Sequence, residues 1–582
     1  MKRNRARLWR AGTGVVCGLL AAAMLPAQVG PNIKMNGPQA PMPEGRLGRP
    51  AEAIVGDPTG RYLVAAWETL HGTCGGSFGG QCTPPKTPGI TAVGYSNDGG
   101  KTWTEIGAPY LGGDFMSSGR PWLDRGGKDG KTFYLTSRAA KVDPVPVNKD
   151  GTPGGSNQVG LVLYRGRFDK NGVFAWTDQY LFTPPRPDLD LLRSPSILAA
   201  KDGSGKVWLG SSTLLGICGR RGSSGGQIEV WRSEDEGKTW SAPVVVGPDE
   251  VLVTEDPKDP KCGSEGPIQI LPDMALGPKG EVYVTWQHGP KLVDIRTFKM
   301  DNKTRIRFVR STDGGKTFTK PMDLAEVNSM RENSPVGYSK STMNDIASIA
   351  ADTDGPHKGR VYVTYTTAVQ PSPSNDIDQL LTSSQVYSVY SDDQGTTWSQ
   401  PVALGPEVPP KGVKRFWPTV TVRAGGKVDV IYMESLEKQI TRDPGDIECN
   451  IKMVVDRTRA GRASSLIDVY WVQSSDGGAT FGPPVKVTSE TTNWCKVAYD
   501  YETTQFANFG DVLGIYTTGD RTFAVWPDGR HGVPDAYVAE LRDYGQAVAT
   551  AKAAAEAAAA KAAEEKAAAD KAKAGGMKPP GM

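Results

Sequence analysis

Along the middle of the chain, short runs of β-branched and aromatic residues alternate with polar, glycine-rich breaks. A turn, one charged residue and an apolar run recur as Arg61-Tyr-Leu-Val-Ala-Ala-Trp67, Lys131-Thr-Phe-Tyr-Leu135, Lys206-Val-Trp-Leu209, Glu281-Val-Tyr-Val-Thr-Trp286, Arg360-Val-Tyr-Val-Thr-Tyr365, Lys427-Val-Asp-Val-Ile-Tyr432 and Arg521-Thr-Phe-Ala-Val-Trp526. Runs of this kind bounded by turn residues predict strands. Their starts lie 70, 75, 75, 79, 67 and 94 residues apart, and so regular a period predicts an array of like units or a propeller.

The first unit is expected to hold four strands, near 51–55, 61–68, 91–96 and 104–107. The last shows three, near 512–516, 521–526 and 535–540, and residues 32–47 are expected to supply its fourth. Such closure removes exposed sheet edges. The prediction is an all-β, seven-bladed propeller of four-stranded antiparallel blades, with six blades as the alternative if one unit is an embellishment.

A second motif recurs inside the units. It reads Ser96-Asn-Asp98-Gly-Gly-Lys-Thr102-Trp103 and returns around Asp235, Asp313, Asp393 and Asp476, with a worn copy at Asp169-Lys-Asn-Gly172. The motif resembles the Asp box of the sialidase superfamily and its bacterial neuraminidase repeats, over about residues 45–542. Aspartate accepts hydrogen bonds from backbone N–H groups in a turn, glycine supplies positive φ, and the final aromatic packs inward. The five box aspartates are therefore expected to be structural.

The two ends read differently. Residues 1–28 carry five basic residues, then an apolar run from Ala11 to Pro26, the pattern of an export signal. Its removal takes the formal charge from +3 to −2, which speaks against a nucleic-acid partner. No later stretch is apolar enough to span a bilayer. Residues 29–44 form an N-terminal segment expected to close the last blade, and 543–582 form a tail. Between Ala547 and Ala574, 17 of 28 residues are alanine, which predicts a solvated helix. Gly and Pro together make about a fifth of the chain, against ~12% in average proteins, as many tight turns require.

Strand alternation puts the Asp boxes and the short hairpins on one face. The long insertions, 69–90, 213–226, 250–267, 288–304, 367–385 and 435–466, fall on the other, where binding is expected. Six cysteines remain after the signal: Cys74, Cys82, Cys218, Cys262, Cys449 and Cys495. An even count in an exported chain predicts disulfides. Proximity favours Cys74–Cys82, Cys218–Cys262 and Cys449–Cys495. Localisation is expected to be periplasmic, cell-surface or extracellular.

The resemblance to sialidases implies three arginines holding a carboxylate, a Tyr–Glu nucleophile and an aspartate acid/base. Candidates on the elaborated face are Arg49, Arg120, Arg193 and Arg415, the acids Glu68, Glu265 and Asp345, and Tyr499 and Tyr501. The sialidase Arg-Ile-Pro signature is absent, and no aspartate lies between Glu68 and Thr91. Trp417 and Trp494 are candidate sugar platforms. The four histidines are scattered and no metal site is expected; Asp352-Thr-Asp354-Gly355 has a calcium-like look. The expected function is binding of a glycan or extracellular protein on the loop-rich face, the alternative an exo-acting sialidase-type glycoside hydrolase acting on terminal acidic sugars.

Overall fold

The computed structural model describes residues 29–37, 51–68, 91–107, 109–112, 114–141, 158–253, 264–294, 299–331, 334–335, 338, 343–369, 382–440, 449–450, 462–494, 497, 509–510, 512–532 and 534–575. The apolar runs form antiparallel strands. Ala51–Gly56, Leu63–Glu68, Thr91–Ser96 and Thr104–Gly107 pair in chain order, within two residues of the expected limits. The next sheet pairs Trp122–Gly126 and Phe115–Ser117 with Thr132–Lys141, followed by Gln158–Phe168 and Phe174–Phe182. Leu191–Ala199, Val207–Leu214, Gln227–Ser233 and Val244–Gly247 make a third.

Ser264–Leu276, Val282–Asp294, Lys303–Ser311 and Met322–Asn328 make a fourth. Part of the 288–304 insertion is simply a longer hairpin here, with Lys299–Met300 paired back on Val282–Asp294. A ten-stranded sheet follows. One half runs from Ser348–Ala351 through Val361–Ala368 and Ser384–Ser391 to Val402–Ala403. The other runs from Val413–Val422 through Val428–Ile440 and Arg462–Ser474 to Val485–Lys486. A single parallel pairing, Ser384 with Lys414, joins the halves.

The last sheet takes Gly514–Thr518, Arg521–Asp528 and Asp535–Leu541, with Ile33–Lys34 as its outer strand. The segment after the basic, apolar head therefore closes the far end of the chain. Asn36 fixes this closure, its Nδ2 donating to Asp535 Oδ1 at 2.9 Å and its Oδ1 accepting from the Ala536 N–H at 2.8 Å. Lys34 pairs with the other Asp535 oxygen at 2.8 Å.

The innermost strands touch in cyclic order, 51–56, 122–126, 191–199, 264–276, 348–351, 413–422, 514–518 and back to 51–56. Apolar faces meet between neighbouring sheets. Val64, Ala66, Leu135 and Tyr164 fill one such layer, and Trp208, Val230, Val284 and Trp286 fill another. The fold is an all-β propeller of four-stranded antiparallel blades. One helix, α1 (Tyr544–Gly575), follows the last strand. Its start docks through Tyr544 on Trp471 at 4.9 Å between rings, and Ala547 is buried. From Ala549 to Glu564 it is exposed throughout. Among the described residues no helix is long and apolar enough to cross a membrane.

Each Asp box is a closed hydrogen-bond unit. In the fourth, Thr397 donates its N–H to Asp393 Oδ1 at 2.8 Å and its hydroxyl to Oδ2 at 2.7 Å, and Ser391 donates to Oδ1 at 2.8 Å. The bond from the Thr397 N–H is the chief cause that draws the Asp393 carboxyl down to about 2. The residue after the aspartate has positive φ in all five boxes: Gly99, Glu236, Gly314, Gln394 and Gly477. Glutamate and glutamine thus stand at two positions where glycine would fit most easily.

Candidate functional site

The inner strands enter the ring through proline bulges. Arg120 precedes Pro121, Ser194 precedes Pro195, Leu271 precedes Pro272 and Trp417 precedes Pro418. All four pre-proline residues lie in the left-handed region, at φ 53°, 48°, 59° and 53°. A side-chain-bearing residue held there stores strain. In three of these units the strand register slips at the bulge, between Arg193 and Ser196, Ile270 and Asp273, and Phe416 and Thr419.

Three of the bulges ring a shallow depression that opens to solvent. Arg120, Trp122, Ser194, Leu271 and Asp273 line it, joined by Ile346 and Val512 from just ahead of two further inner strands. It lies at the entry ends of the inner strands, on the face of the long insertions. Its walls are mainly apolar, with Arg120, Ser194 and Asp273 as the polar residues among them.

Asp273 is the buried acid of the group. Its Oδ1 accepts from the Met274 N–H at 2.8 Å, and its Oδ2 from the Ile349 N–H of the next inner strand at 3.0 Å. Burial outweighs these bonds and pushes its carboxyl up to about 6. Asp124, three residues after Pro121 on the second inner strand, performs the same stapling, accepting from the Ala199 N–H at 2.6 Å.

Of the candidates read from sequence, the structure brings Arg120 to the depression, and its backbone N–H donates to Glu68 at 2.8 Å. Glu68 is buried and also faces Arg138 at 3.6 Å. The Arg193 carbonyl accepts from Ser211 at 2.9 Å, and Arg193 is not part of the lining. Arg415 is turned into the protein, with Glu434 at 2.8 Å, Gln385 at 3.2 Å and the Pro406 carbonyl at 3.0 Å. Asp345 is enclosed by Thr304, Ser329 and the Met330 N–H. Arg49, Tyr499, Tyr501 and the Glu265 side chain lie outside the described residues. So do the cysteines other than Cys218, at least in their side chains.

Trp417 and Trp494 are buried rather than displayed. They pack with Tyr338, Phe416 and Phe509, Trp494 stacking on Phe509 at 3.9 Å. Trp122 is the indole that reaches the depression. Asp352, of the calcium-like run, receives the N–H groups of Asp354, Gly355 and His357. Among the described residues, no three His, Cys, Asp or Glu side chains gather in a way that could hold a metal ion. Trp122, Leu271 and Asp273 escaped the sequence reading. The signal that could have found them is the proline recurring at the inner-strand entries.

Residues 389–400 match the BNR/Asp-box repeat family. They span the box around Asp393, so the Asp-box resemblance is borne out there. No curated protein matches the chain. Among solved structures, a mutant α-L-arabinofuranosidase of Fusarium graminearum in complex with an iminosugar inhibitor is similar at 14% identity and TM-score 0.40, over 70% of this chain and 93% of that one. A mutant NanB sialidase of Streptococcus pneumoniae is similar at 11% identity and TM-score 0.39, over 69% of this chain and 67% of that one. A mutant Trypanosoma rangeli sialidase displaying trans-sialidase activity is similar at 15% identity and TM-score 0.37, over 70% and 57%.

Proposed function

We propose that this chain is an exported, seven-bladed Asp-box propeller that binds a saccharide in its axial depression. The observation that carries the reading is the depression itself. It is a shallow apolar cup on the loop-rich axis, with the Trp122 indole as a stacking surface and Arg120, Ser194 and Asp273 as polar contacts. Sugar rings present both an apolar face and a belt of hydroxyls, which such a cup complements. The blade number draws support from the cyclic contacts of the inner strands. The export reading draws support from Val29, which already bridges to Leu541 directly after the proposed signal 1–28. Cys218, a half-cystine, supports stapling of the elaborated face.

Binding is favoured over hydrolysis. Cleavage of a glycosidic bond needs two carboxyl groups flanking it, and Asp273 is the only carboxyl among the described residues of the lining. The sialidase-type hydrolase remains the second reading, resting on the raised acid of Asp273. The test is a glycan array with the mature protein, together with turnover of fluorogenic sialosides and arabinofuranosides. Saccharide binding that Trp122→Ala abolishes, without turnover, is expected. Turnover removed by Asp273→Asn would give the hydrolase reading instead.

A further inference from the structure

Two asparagines of the chain precede glycine, Asn36 and Asn171. Asparagine is a thermolabile residue, and a following glycine leaves the next backbone nitrogen unshielded by a side chain. Asn171 is exposed, in the hairpin turn between Gln158–Phe168 and Phe174–Phe182. Asn36 is buried and sits at the seam where the last sheet meets the first.

Closure of the ring engages each reacting group of Asn36-Gly37. The Asn36 Nδ2 donates to Asp535 Oδ1 at 2.9 Å and to the Gly37 carbonyl at 3.1 Å, while its Oδ1 accepts from the Ala536 N–H at 2.8 Å. The Gly37 N–H donates across the seam to Glu105 Oε2, on the outer strand of the first sheet, at 2.8 Å. The main chain just before them is pinned by the Ile33–Lys34 pairing and by the Met35 N–H on the Ala536 carbonyl. Attack on the Asn36 amide carbon needs the Gly37 nitrogen to shed its proton and turn toward that carbon. A carboxylate at hydrogen-bond distance opposes the negative charge this creates, and the pinned strand opposes the turn.

We propose that Asn36-Gly37 is a deamidation site, inert in the closed ring and reactive once residues 33–37 leave the last sheet, and that its product keeps the strand from returning. The Gly37 nitrogen bonds to Asn36 Cγ, the Cγ–Nδ2 bond breaks, and ammonia leaves with the proton that the nitrogen gave up. Water then opens the succinimide at one of its two carbonyls, which leaves aspartate or isoaspartate. The net change is one amide and one water converted to one acid and one ammonia. Aspartate at 36 has no donor for the fully buried Asp535, and Lys34 then stands against two carboxylates. Isoaspartate adds a methylene to the main chain, so Met35 and Gly37 cannot both meet their partners on Ala536 and Glu105. Loss of closure is thereby recorded as a covalent change, and the edge of Asp535–Leu541 stays bare.

The experiment ages the full chain at mildly alkaline pH, in buffer and in urea above the unfolding midpoint. Peptide mapping by mass spectrometry follows the amide-to-acid conversion of Asn36 and Asn171. Asn36 is expected to convert about 100-fold more slowly in buffer than in urea, the scale set by opening a strand that several buried bonds hold. Lys34→Ala is expected to speed Asn36 conversion in buffer about 10-fold, in step with the open population, and to leave Asn171 and the urea rate unchanged. Among the described residues, a Cβ at position 37 meets just the end of the Glu105 side chain, at 3.3 Å. Gly37→Ala is therefore expected to fold normally and, by shielding the nitrogen, to abolish conversion of Asn36 even in urea. Asn36→Asp is expected to melt at lower temperature than the parent and to self-associate.

Equal Asn36 rates in buffer and urea, or a Lys34→Ala rate equal to the parent's, overturns the protection by closure. Asn36→Asp that melts with the parent overturns the one-way record. If that variant does not fold, chain aged in urea and returned to buffer carries the test. Unconverted molecules are then expected to refold and converted ones to remain open, and equal refolding of both overturns the record.

Discussion

Arg521 reaches across the seam where the last sheet meets the first and donates from Nη2 to the Gly99 carbonyl at 3.2 Å. Gly99 follows the aspartate of the first Asp box. The same carbonyl position is taken by the preceding unit in every other intact box. Arg165 donates to Glu236, the Trp208 indole to Gly314, Arg310 to Gln394 and Arg360 to Gly477, at 2.7 to 3.2 Å. The positive φ after the box aspartate therefore has a use beyond the turn, since it turns a carbonyl toward the neighbouring unit. Arg521 also donates to Gly60 and pairs with Glu540 at 2.7 Å.

Arg521→Ala is accordingly expected to destabilise the fold by about 2 kcal/mol, the scale of losing charge-assisted bonds that span two elements. Arg521→Lys keeps the charge beside Glu540 but cannot fork to both carbonyls, so it recovers only part of the loss. Urea unfolding at fixed pH measures both. Equal stability of the Ala variant and the parent would show that the seam is held elsewhere.

The box aspartates predict acid sensitivity. Asp393 is drawn below its ordinary range chiefly by the Thr397 N–H, and Asp235, although burial pulls it upward, is lowered to about 2 by the bonds from Thr239 and Ser233. A carboxyl whose folded value is depressed adds stability above its unfolded value, and the gain is lost as pH falls through the folded one. Circular dichroism is expected to show stability falling between about pH 4 and pH 2. Asp393→Asn is expected to shrink that loss, and an unchanged acid profile would count against the boxes as its source.

What the sequence displayed depended on the kind of signal. Strands such as Glu281-Val-Tyr-Val-Thr-Trp286 were legible because local composition alone specifies a doubly buried strand. Ile33–Lys34 was legible only by counting, since two residues carry no pattern and the last unit simply lacked a strand. The cup was read incompletely. Arg120 and Arg415 look alike in sequence, each at an inner-strand entry, yet Glu434 and Gln385 turn the second inward. Trp417 and Trp494 look like Trp122, yet their burial is decided by Tyr338 and Phe509, which arrive from distant links. Asp273 was missed because its environment comes from the next unit, more than seventy residues away.

His288 gives a prediction at mildly acid pH. The ring is buried at 1% exposure, with Nε2 at 3.1 Å from Glu250. Burial first, then Arg307, holds its pKa below the ordinary value, against the opposing pull of Glu250 and Asp323. The folded chain therefore binds fewer protons here than the unfolded chain just below pH 6.5. Stability from this site is present above that value and is lost as pH falls through the folded pKa. Melting curves from about pH 7.5 to pH 5 are expected to show the decline, and His288→Gln to flatten it. A variant with the parent's slope would assign the decline to other groups.

Asn36 tests the closing strand. The side chain is 5% exposed and satisfies two groups of the last strand, the Asp535 carboxyl and the Ala536 N–H. Asn36→Ala leaves that N–H without its acceptor in a buried place, which costs about 2 kcal/mol. Lys34→Ala removes the partly exposed partner of a fully buried carboxylate, which keeps its bond from Asn36, and should cost about 1–2 kcal/mol. Deleting 29–37 bares the edge of Asp535–Leu541, so self-association is expected on size-exclusion chromatography. A monomeric deletion variant with parental melting would remove the closing role from this segment.

Asp429 is the most heavily engaged carboxylate at the junction of the last two sheets. Arg423 pairs with it, and Trp471, Gln473 and Thr522 donate to it at 2.7, 2.8 and 2.9 Å. Thr522 lies in the last sheet, so this acid joins the last unit, which has no Asp box among its described residues, to the unit before it. Arg423 continues the link by donating to the Leu541 carbonyl at 3.2 Å. Both partners are almost fully buried, at 4% and 0% exposure of their side chains. Removing one member of such a pair strands the other without water, at a cost of about 3–5 kcal/mol. Asp429→Asn is expected to fall in that range, because the amide must also turn a donor toward groups that themselves donate. Thr522→Val removes one neutral bond and should cost about 1 kcal/mol. A double-mutant cycle between Asp429→Asn and Thr522→Val should return a coupling close to that smaller figure. Coupling near zero would mean that the bridge between the sheets runs through Arg423 and the Leu541 carbonyl instead.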